Sequence, residues 1–517
     1  MTKKIIVSLS LIFILAAILF VLDNATAKQK KILKSKHPVK DVLVSDNNIQ
    51  NNVQYNVDLQ KISSINHNIS GLNTAFAFSI KGVGENSDVS SNSALLRPTV
   101  LRFPGGTLAN YYHPGEKGYG IKKSEVKVQI ILQEYINQQK LTTSALDEYI
   151  HHAKPLGVET LVVANLLTGT PEETVQVIDT LKSNGLEVSG VELGNELYFG
   201  EYRYKFPDVD TYITKAKEFS RVIKMKYPEV KVGVLAAKVS GEAGGSVGSS
   251  GFATTWNTKL GQETFYDSYI VHGYVNDDSC TTNLKKAFDE AFVCEKETLA
   301  VIKNDYISNL RNLVSSYFND KKMWYTEWNI KSPQNLVGNT ITHAGFVLEM
   351  LINMNDFNQE SNNVLEYASY HNYLTKNYGY GALVLDPSGK INTSGAYEAF
   401  KLFNTISARG AKNVSYTQTK SLPDFSNRFF YSPTEQKLFM LFVNKTGQAV
   451  SIGKISGFDY NAATMTIFYG DKPYASFGKT GFAKDFPDRV LNVRRETKAF
   501  TGSIDGGYSI GLIEFTK

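Results

Sequence analysis

Residues 159–193 read ETLVVANLLTGTPEETVQVIDTLKSNGLEVSGVEL and carry the pattern that decides the fold. The short apolar runs at 159–164 and 188–193 have the length of buried strands. Between them, residues 172–184 place apolar side chains at three- and four-residue spacing, which predicts a helix. Strand, helix and strand in this order predict one unit of a parallel sheet.

The same alternation extends over most of the chain. Further strands are predicted at 74–79, 99–103, 230–235, 268–273, 322–327 and 365–370. Helical stretches lie between most of them, and a last helix is predicted near 395–406. Eight strands with intervening helices predict an α/β fold, the TIM barrel, whose functional residues lie at the C-terminal ends of the strands.

The pattern changes near residue 411. Short runs rich in β-branched and aromatic residues follow at 428–431, 437–443, 464–469 and 510–515, with turn residues between them. Such runs are typical of an antiparallel β-sandwich. We therefore expect a catalytic barrel over residues 56–410 and a C-terminal sandwich domain over residues 411–517.

The N-terminal residues 1–27 have the pattern of a secretory signal peptide. Lys3 and Lys4 precede an apolar stretch at 5–22, and Ala25-Thr26-Ala27 resembles a cleavage site. A stretch of this length is also close to the ~20 residues that cross a bilayer, so an uncleaved membrane anchor remains an alternative. Both interpretations predict an exported protein.

Residues 28–55 are rich in Lys and Asn and are predicted to form a linker. Six lysines and no acidic residue lie at 28–40. Removing the +6 of this run and the +1 of residues 1–27 from the formal net charge of +5 leaves −2 for the rest of the chain. A folded part so close to neutral lacks the basic surface of a nucleic-acid-binding protein.

The sequence contains two cysteines, Cys280 and Cys294. In an exported protein, two cysteines this close in sequence favour a disulfide bond. Neither belongs to a CxxC pair and no histidine cluster accompanies them, so a metal site is not expected.

Two carboxylates lie where predicted strands end. Glu196 follows the fourth barrel strand and Glu327 ends the seventh, so both should project into the same barrel mouth. Cleavage of a glycosidic bond needs such a pair, with one carboxyl to protonate the departing oxygen and one to attack the sugar or activate water.

Three motifs resemble the retaining clan A glycoside hydrolases of families 51, 39 and 79, which include α-L-arabinofuranosidases, β-xylosidases, α-L-iduronidases and heparanase-like β-glucuronidases. The motifs are Gly194-Asn195-Glu196, Thr326-Glu327-Trp328-Asn329 and LRFPGGT at 101–107. The resemblance covers about residues 71–517 and implies a barrel followed by a sandwich. It implies that Glu196 is the general acid/base and Glu327 the nucleophile, and that Asn195 binds the hydroxyl next to the reacting carbon.

Three more residues are candidates for holding the nucleophile. Arg102 on the second barrel strand is able to pair with Glu192 as a structural ion pair or to approach Glu327, and the resemblance implies an arginine that keeps the nucleophile ionised. His272 and Tyr274 end the sixth strand on one face, and the resemblance implies that one of them hydrogen-bonds the nucleophile. The alternative is a structural role for this pair.

Other polar and aromatic side chains near strand ends are candidates for binding sugar. They are Asn110 and Tyr111 after the Pro-Gly-Gly turn, Trp328 beside the nucleophile, and Tyr370, His371 and Tyr373 after the eighth strand. A sugar carboxylate would need a cation, for which Lys238, Arg203 and Lys205 are candidates.

The sequence therefore predicts an exported retaining glycosidase that cleaves oligo- or polysaccharides by double displacement, with no metal and no cofactor. Its expected partner is a carbohydrate substrate, and the N-terminal segment is a possible membrane tether. Two alternatives are a non-hydrolytic carbohydrate-binding protein on the same scaffold and, less favoured, a transglycosylase.

Overall fold

The computed structural model describes residues 52–127, 142–238, 250–275, 280, 288–330, 336–376 and 380–517. The predicted signal peptide or anchor and most of the predicted linker lie outside these residues. In the described part of the chain, no helix combines the length and the apolar character needed to span a bilayer.

Strand β1 (Asn52–Ser64) opens the described chain, and the next eight strands close a parallel barrel in chain order. The barrel strands are β2 (Gly71–Asn73), β3 (Val100–Phe103), β4 (Glu159–Ala164), β5 (Glu187–Leu193), β6 (Lys231–Leu235), β7 (Ser268–Val275), β8 (Lys322–Ile330) and β9 (Leu365–Tyr370). Because β2 pairs with both β3 and β9, the ring is complete. The predicted TIM barrel is confirmed.

Eight α-helices are present among the described residues. They are α1 (Ser87–Leu96), α2 (Ala145–Ala153), α3 (Pro171–Ser183), α4 (Val209–Lys226), α5 (Ser250–Gly261), α6 (Phe288–Ser316), α7 (Ile341–Glu360) and α8 (Gly395–Ala408). Local sequence explains where they begin. Helix α3, for example, starts with Pro171 and has a capping box in which Thr170 and Glu173 satisfy each other's backbone amides.

Three short strands follow the barrel, and a large sheet forms the C-terminal part. The short strands are β10 (Leu374–Thr375), β11 (Leu383–Leu385) and β12 (Ile391–Thr393). The sheet adds β13 (Lys412–Gln418), β14 (Phe425–Ser432), β15 (Lys437–Asn444), β16 (Val450–Ser456), β17 (Ala462–Gly470), β18 (Arg494–Ala499), β19 (Ser503–Ile504) and β20 (Tyr508–Thr516). Its strand order is β18-β17-β20-β15-β14-β13-β1-β16-β19.

The large sheet folds over itself as the predicted sandwich. Ile452 near one edge and Ile467 near the other are buried in a single core together with Met440 of β15. Side chains alternate along β15, so Phe439 and Leu441 point the other way, into the core shared with the barrel helices. Helix α7 packs on this second face through β15 and β20.

A disulfide bond joins Cys280 to Cys294 in helix α6, as predicted. The cross-link lies between β7 and β8 in the chain, so it ties the start of α6 to the connection that precedes it.

Two sequence predictions about the first strands are wrong. The strand predicted at 74–79 is three residues earlier, at β2, because the chain turns just after it: Ala75 has φ +36°, and the amide of Ala77 donates to the carbonyl of Thr74 over 2.8 Å. Residues 52–64, which the sequence analysis divides between the linker and the barrel, form β1 and pair with β13 and β16 of the sandwich. Val53, Tyr55 and Val57 point into the sandwich core and account for this placement.

Candidate active site

The C-terminal ends of five barrel strands converge on one polar cluster. Its members are Asn73 from β2, Arg102 from β3, Glu192 with the following Asn195 and Glu196 from β5, His272 and Tyr274 from β7, and Glu327 from β8; His371 joins them from the residue after β9. The barrel thus brings together side chains that are up to 298 residues apart in the chain.

Arg102 is the centre of this cluster and is fully buried. Its Nε lies 3.0 and 2.9 Å from the two carboxylate oxygens of Glu192, and its Nη1 lies 2.6 Å from Oε1 of Glu327. Nη2 donates to Glu192 and, over 2.9 Å, to Oδ1 of Asn195. Burial opposes the charge, but the two carboxylates outweigh burial and raise the pKa of Arg102. Both contacts considered for Arg102 from the sequence, with Glu192 and with Glu327, therefore occur together.

Glu327 is buried, and three side chains donate hydrogen bonds to its oxygens. Oε1 accepts from Arg102 and from Nδ2 of Asn73 at 3.2 Å, and Oε2 accepts from the hydroxyl of Tyr274. Burial by itself would raise the pKa of Glu327, but the electrostatic interactions with His272, His371 and Arg102 and the hydrogen bond from Tyr274 lower it below its usual range. Glu327 is therefore a carboxylate at neutral pH.

Glu196 is half-buried and sits on a constrained loop. Its φ is +50°, in the left-handed region that residues other than glycine seldom adopt, and Gly194 just before it has φ +94°. Nδ1 of His272 lies 3.1 Å from Oε1 of Glu196 and 3.7 Å from Oε2 of Glu327. One oxygen of each carboxylate and the histidine nitrogen all lie within 4.8 Å of one another.

Asn110 holds this loop from behind and does not line the mouth. Its Nδ2 donates to the carbonyl of Asn195 over 2.7 Å, and its Oδ1 accepts from the amide of the same residue over 3.0 Å. Asn110 is fully buried at the end of a short 3₁₀-helix, Thr107–Tyr111. Tyr111 is also fully buried, beside Tyr204. The structure thus places both residues under the site.

The structure does not bring Trp328 and Tyr370 into the cluster. Their rings pack edge to face at 5.1 Å, and both contact Phe400 of α8. Because side chains alternate along a strand, Trp328 points to the helices when its neighbour Glu327 points to the mouth. Among the cation candidates, Lys238 lies with Nζ 5.6 Å from the ring centre of Tyr274, whereas Arg203 stacks on Phe252.

Sequence reasoning missed Asn73. It lies just before the predicted first strand, and a single asparagine at that position gives no signal of its role. His371 was identified from the sequence only as a subsite candidate, without a partner.

Glu196, His272 and Glu327 are close enough to share a metal ion. However, both oxygens of Glu327 already accept hydrogen bonds, from Arg102 and Asn73 on one side and Tyr274 on the other. An ion would compete with the positive charge of Arg102 for the same carboxylate. The arrangement suits acid/base and nucleophilic chemistry better than metal binding.

No family model and no curated protein matches the chain. Solved structures do. An α-L-arabinofuranosidase of family 51 from Bifidobacterium longum has a TM-score of 0.64 at 13% identity, over 90% of this chain and 99% of that chain. The arabinofuranosidase of Thermotoga maritima in complex with arabinose has a TM-score of 0.60 at 19% identity, over 89% and 99%. A family 44 xyloglucanase from Paenibacillus polymyxa has a TM-score of 0.53 at 12% identity, over 90% and 100%.

These matches span almost the whole described chain, barrel and sandwich together. Their identities are low, so what they share with this chain is the fold. The protein therefore has the barrel-and-sandwich fold of the clan A glycoside hydrolases and resembles family 51, as the sequence motifs predict.

Proposed function

We propose that this protein is a retaining glycoside hydrolase that cleaves glycosidic bonds of an oligo- or polysaccharide by double displacement. One observation carries the proposal: two carboxyl groups in unlike surroundings face each other in the barrel mouth, with oxygens within 4.8 Å. Retaining enzymes hold their carboxyls ~5–5.5 Å apart, whereas inverting enzymes need ~6.5–9.5 Å to admit a water molecule. The short separation supports direct attack on the sugar.

Glu327 is the nucleophile in this proposal. Its lowered pKa keeps it ionised, and Arg102, Asn73 and Tyr274 hold both of its oxygens in place. As the bond from the anomeric carbon to the leaving oxygen breaks, positive charge develops on the sugar, and the carboxylate stabilises it before forming the glycosyl–enzyme bond. The hydrogen bonds orient the carboxylate ahead of the reaction, so little reorganisation remains.

Glu196 is the general acid and then the general base. It donates a proton to the leaving oxygen in the first step and accepts one from water in the second, when water breaks the glycosyl–enzyme bond and frees Glu327. Its side chain is 15% exposed, against 5% for Glu327, which gives incoming water access to it. The loop clamp by Asn110 fixes its position relative to the nucleophile.

Asn195 positions the sugar. Its Oδ1 accepts from Arg102, and its Nδ2 has no hydrogen-bond partner among the residues that the structure describes. The amide is therefore oriented with a free donor on the side away from Arg102. A hydroxyl next to the anomeric carbon is the acceptor that we assign to it.

We further propose that the enzyme acts outside the cytoplasm. The disulfide between Cys280 and Cys294 supports this location, since such bonds persist in oxidising compartments. The signal-peptide pattern of residues 1–27 supports it independently. Detection of the protein in an exported fraction, with the cysteines linked, would test it.

The activity itself is tested with a panel of 4-nitrophenyl glycosides that covers pentofuranosides, pentopyranosides, hexopyranosides and uronides. Turnover of at least one member, lost in Glu327→Gln, is the expected result. Binding of a sugar by the wild-type protein without turnover of any member would instead favour the non-hydrolytic alternative. Products longer than the substrate would favour transglycosylation.

A further inference from the structure

His371 lies in the barrel mouth, but the double displacement does not use it. Its ring is 12% exposed, and it stands edge-on to Tyr274 at 5.7 Å and to Tyr380 at 5.8 Å. Its Nδ1 lies 3.0 Å from Nδ2 of Asn73 and 3.7 Å from Oε2 of Glu327. A histidine so close to the proposed nucleophile therefore needs a role.

Asn73 determines which nitrogen of His371 carries the proton. Oδ1 of Asn73 accepts from the amide of Ala75 over 3.0 Å, so the NH₂ group must be the end that faces Glu327 and His371. An NH₂ donor 3.0 Å from Nδ1 requires an unprotonated Nδ1. Neutral His371 is therefore the tautomer with its proton on Nε2.

Two observations show that Nε2 faces open space. In the described part of the chain, no hydrogen bond to Nε2 is present; the ring's bonds are made by Nδ1. With no partner, Nε2 is still not one of the fully buried polar atoms, and the side chain is 12% exposed, so Nε2 is accessible from the mouth. Burial lowers the pKa of His371 to about 4, although the negative charge of Glu327 acts to raise it. The ring is therefore neutral at neutral pH. A fixed N–H donor thus points into the mouth.

We propose that Nε2–H of His371 donates a hydrogen bond to an oxygen of the sugar bound against Glu327, and that the enzyme thereby selects sugars that carry an oxygen at that position. This inference rests on the proposed glycosidase function. It makes His371 a specificity residue, because a site built around a fixed donor discriminates strongly against an analogue that lacks the acceptor.

A pair of variants separates this role from a merely structural one. Glutamine places its amide NH₂ near the position of Nε2, whereas asparagine reaches only as far as Nδ1. On the panel glycoside that wild-type enzyme hydrolyses fastest, we expect kcat/KM of His371→Gln to exceed that of His371→Asn by at least about fivefold. If His371 only orients Asn73 through Nδ1, His371→Asn would be the more active variant, which would overturn the proposal.

A substrate series identifies the partner oxygen. Monodeoxy analogues of the same glycoside are compared in wild type and His371→Asn, and one analogue should lose at least about fivefold in kcat/KM in wild type but much less in the variant. Equal losses in both enzymes for every analogue would overturn the proposal. Thermal unfolding of each variant checks that it is folded.

The tautomer is tested without turnover. Long-range ¹H–¹⁵N NMR of ¹⁵N-histidine-labelled protein, with the His371 signal assigned by comparison with His371→Gln, should show the Nε2–H form. A proton on Nδ1 would overturn this inference and leave the glycosidase proposal standing. Conversely, if no glycoside of the panel is hydrolysed, both the proposed function and the specificity role fail.

Discussion

Arg102 donates from Nη1 to Oε1 of Glu327 over 2.6 Å while the opposite side of its guanidinium binds Glu192. One cation therefore serves two buried carboxylates, and the group of three carries a net charge of −1. Tyr274 and Asn73 stabilise the remaining negative charge on Glu327 by hydrogen bonds. A preorganised negative charge at this place suits a reaction whose transition state is positively charged.

Loss of the Tyr274 hydroxyl should raise the pKa of Glu327. That pKa is held below its usual range, so Glu327 should stay ionised well into the acidic range, and its protonation should abolish wild-type activity. Tyr274→Phe removes one group that favours the ionised form, so the acidic limb of the kcat/KM profile should move to higher pH and the maximum should fall about tenfold or more.

Tyr269→Phe is the matched control, because Tyr269 lies on the same strand and its buried hydroxyl has no hydrogen-bond partner among the described residues. Its acidic limb should coincide with that of wild type. An unchanged limb in Tyr274→Phe would show that the tyrosine does not act on Glu327.

Replacing Glu196 should allow the two steps of the reaction to be observed separately. Glu196→Ala lacks the acid, so a glycoside with a poor leaving group should lose at least about 10²-fold in kcat, whereas a dinitrophenyl glycoside should still form the glycosyl–enzyme. Azide needs no general base, and it should restore turnover of the activated substrate and yield a glycosyl azide of the substrate's own configuration, detectable by NMR.

Replacing Glu327 should give a glycosyl azide of the opposite configuration. Glu327→Ala lacks the nucleophile, and azide should attack the sugar directly and give the inverted glycosyl azide. If the two variants exchanged these products, the roles of Glu196 and Glu327 would have to be exchanged as well.

Asn110 should act on catalysis only through the loop that it clamps. Asn110→Ala leaves the amide and the carbonyl of Asn195 without their buried partners, so Glu196 should lose its fixed position. For a glycoside with a poor leaving group, we expect kcat to fall about tenfold or more. For a dinitrophenyl glycoside, which needs little acid assistance, kcat should fall clearly less.

A buried asparagine far from the barrel mouth provides the comparison. Nδ2 of Asn404 in α8 donates to the carbonyl of Leu96 over 2.7 Å. Asn404→Ala should lower the melting temperature without changing the ratio of the kcat values for the two substrates. If Asn110→Ala behaved in the same way, its role would be stability alone.

Two glycines inside the barrel leave room for the side chain of Trp324. A Cβ at Gly190 would lie 2.3 Å from Cη2 of Trp324, and one at Gly233 would lie 2.8 Å from the same indole. Gly190→Ala should therefore destabilise the protein by about 1–3 kcal/mol in denaturant unfolding. In a Trp324→Phe background, where the ring is smaller, the same substitution should lower the free energy of unfolding by clearly less. An equal loss in both backgrounds would show that the added methyl group does not clash with the indole.

The strands that could be predicted from sequence are those with local signals. Residues 159–164 contain an apolar run with a polar start, residues 365–370 are rich in apolar and aromatic side chains, and the structure has strands at the same residues. Glu196 and Glu327 could be placed in one mouth because all strands of a parallel barrel end on the same side. Arg102 could be placed there for the same reason.

Contacts between distant residues could not be predicted. Strand β1 pairs with β13 across about 350 residues, and its apolar side chains alternate with Asn, Gln and Asp, so the stretch looks like a linker. Asn110 follows the Pro-Gly-Gly turn. Whether such a side chain faces a ligand or clamps a loop depends on the loop after β5, which is distant in the sequence. Trp328 illustrates the reverse case, since its side chain points away from the mouth that its neighbour Glu327 faces.

The stereochemistry of hydrolysis tests the central claim most directly. The panel glycoside that the enzyme cleaves fastest is hydrolysed in an NMR tube, and the anomeric proton of the first-formed sugar is recorded before mutarotation. Direct attack by Glu327, followed by water activated by Glu196, inverts the anomeric carbon twice, so the first product should have the configuration of the substrate. A first product of inverted configuration would contradict the covalent intermediate on Glu327 and the retaining mechanism built on it.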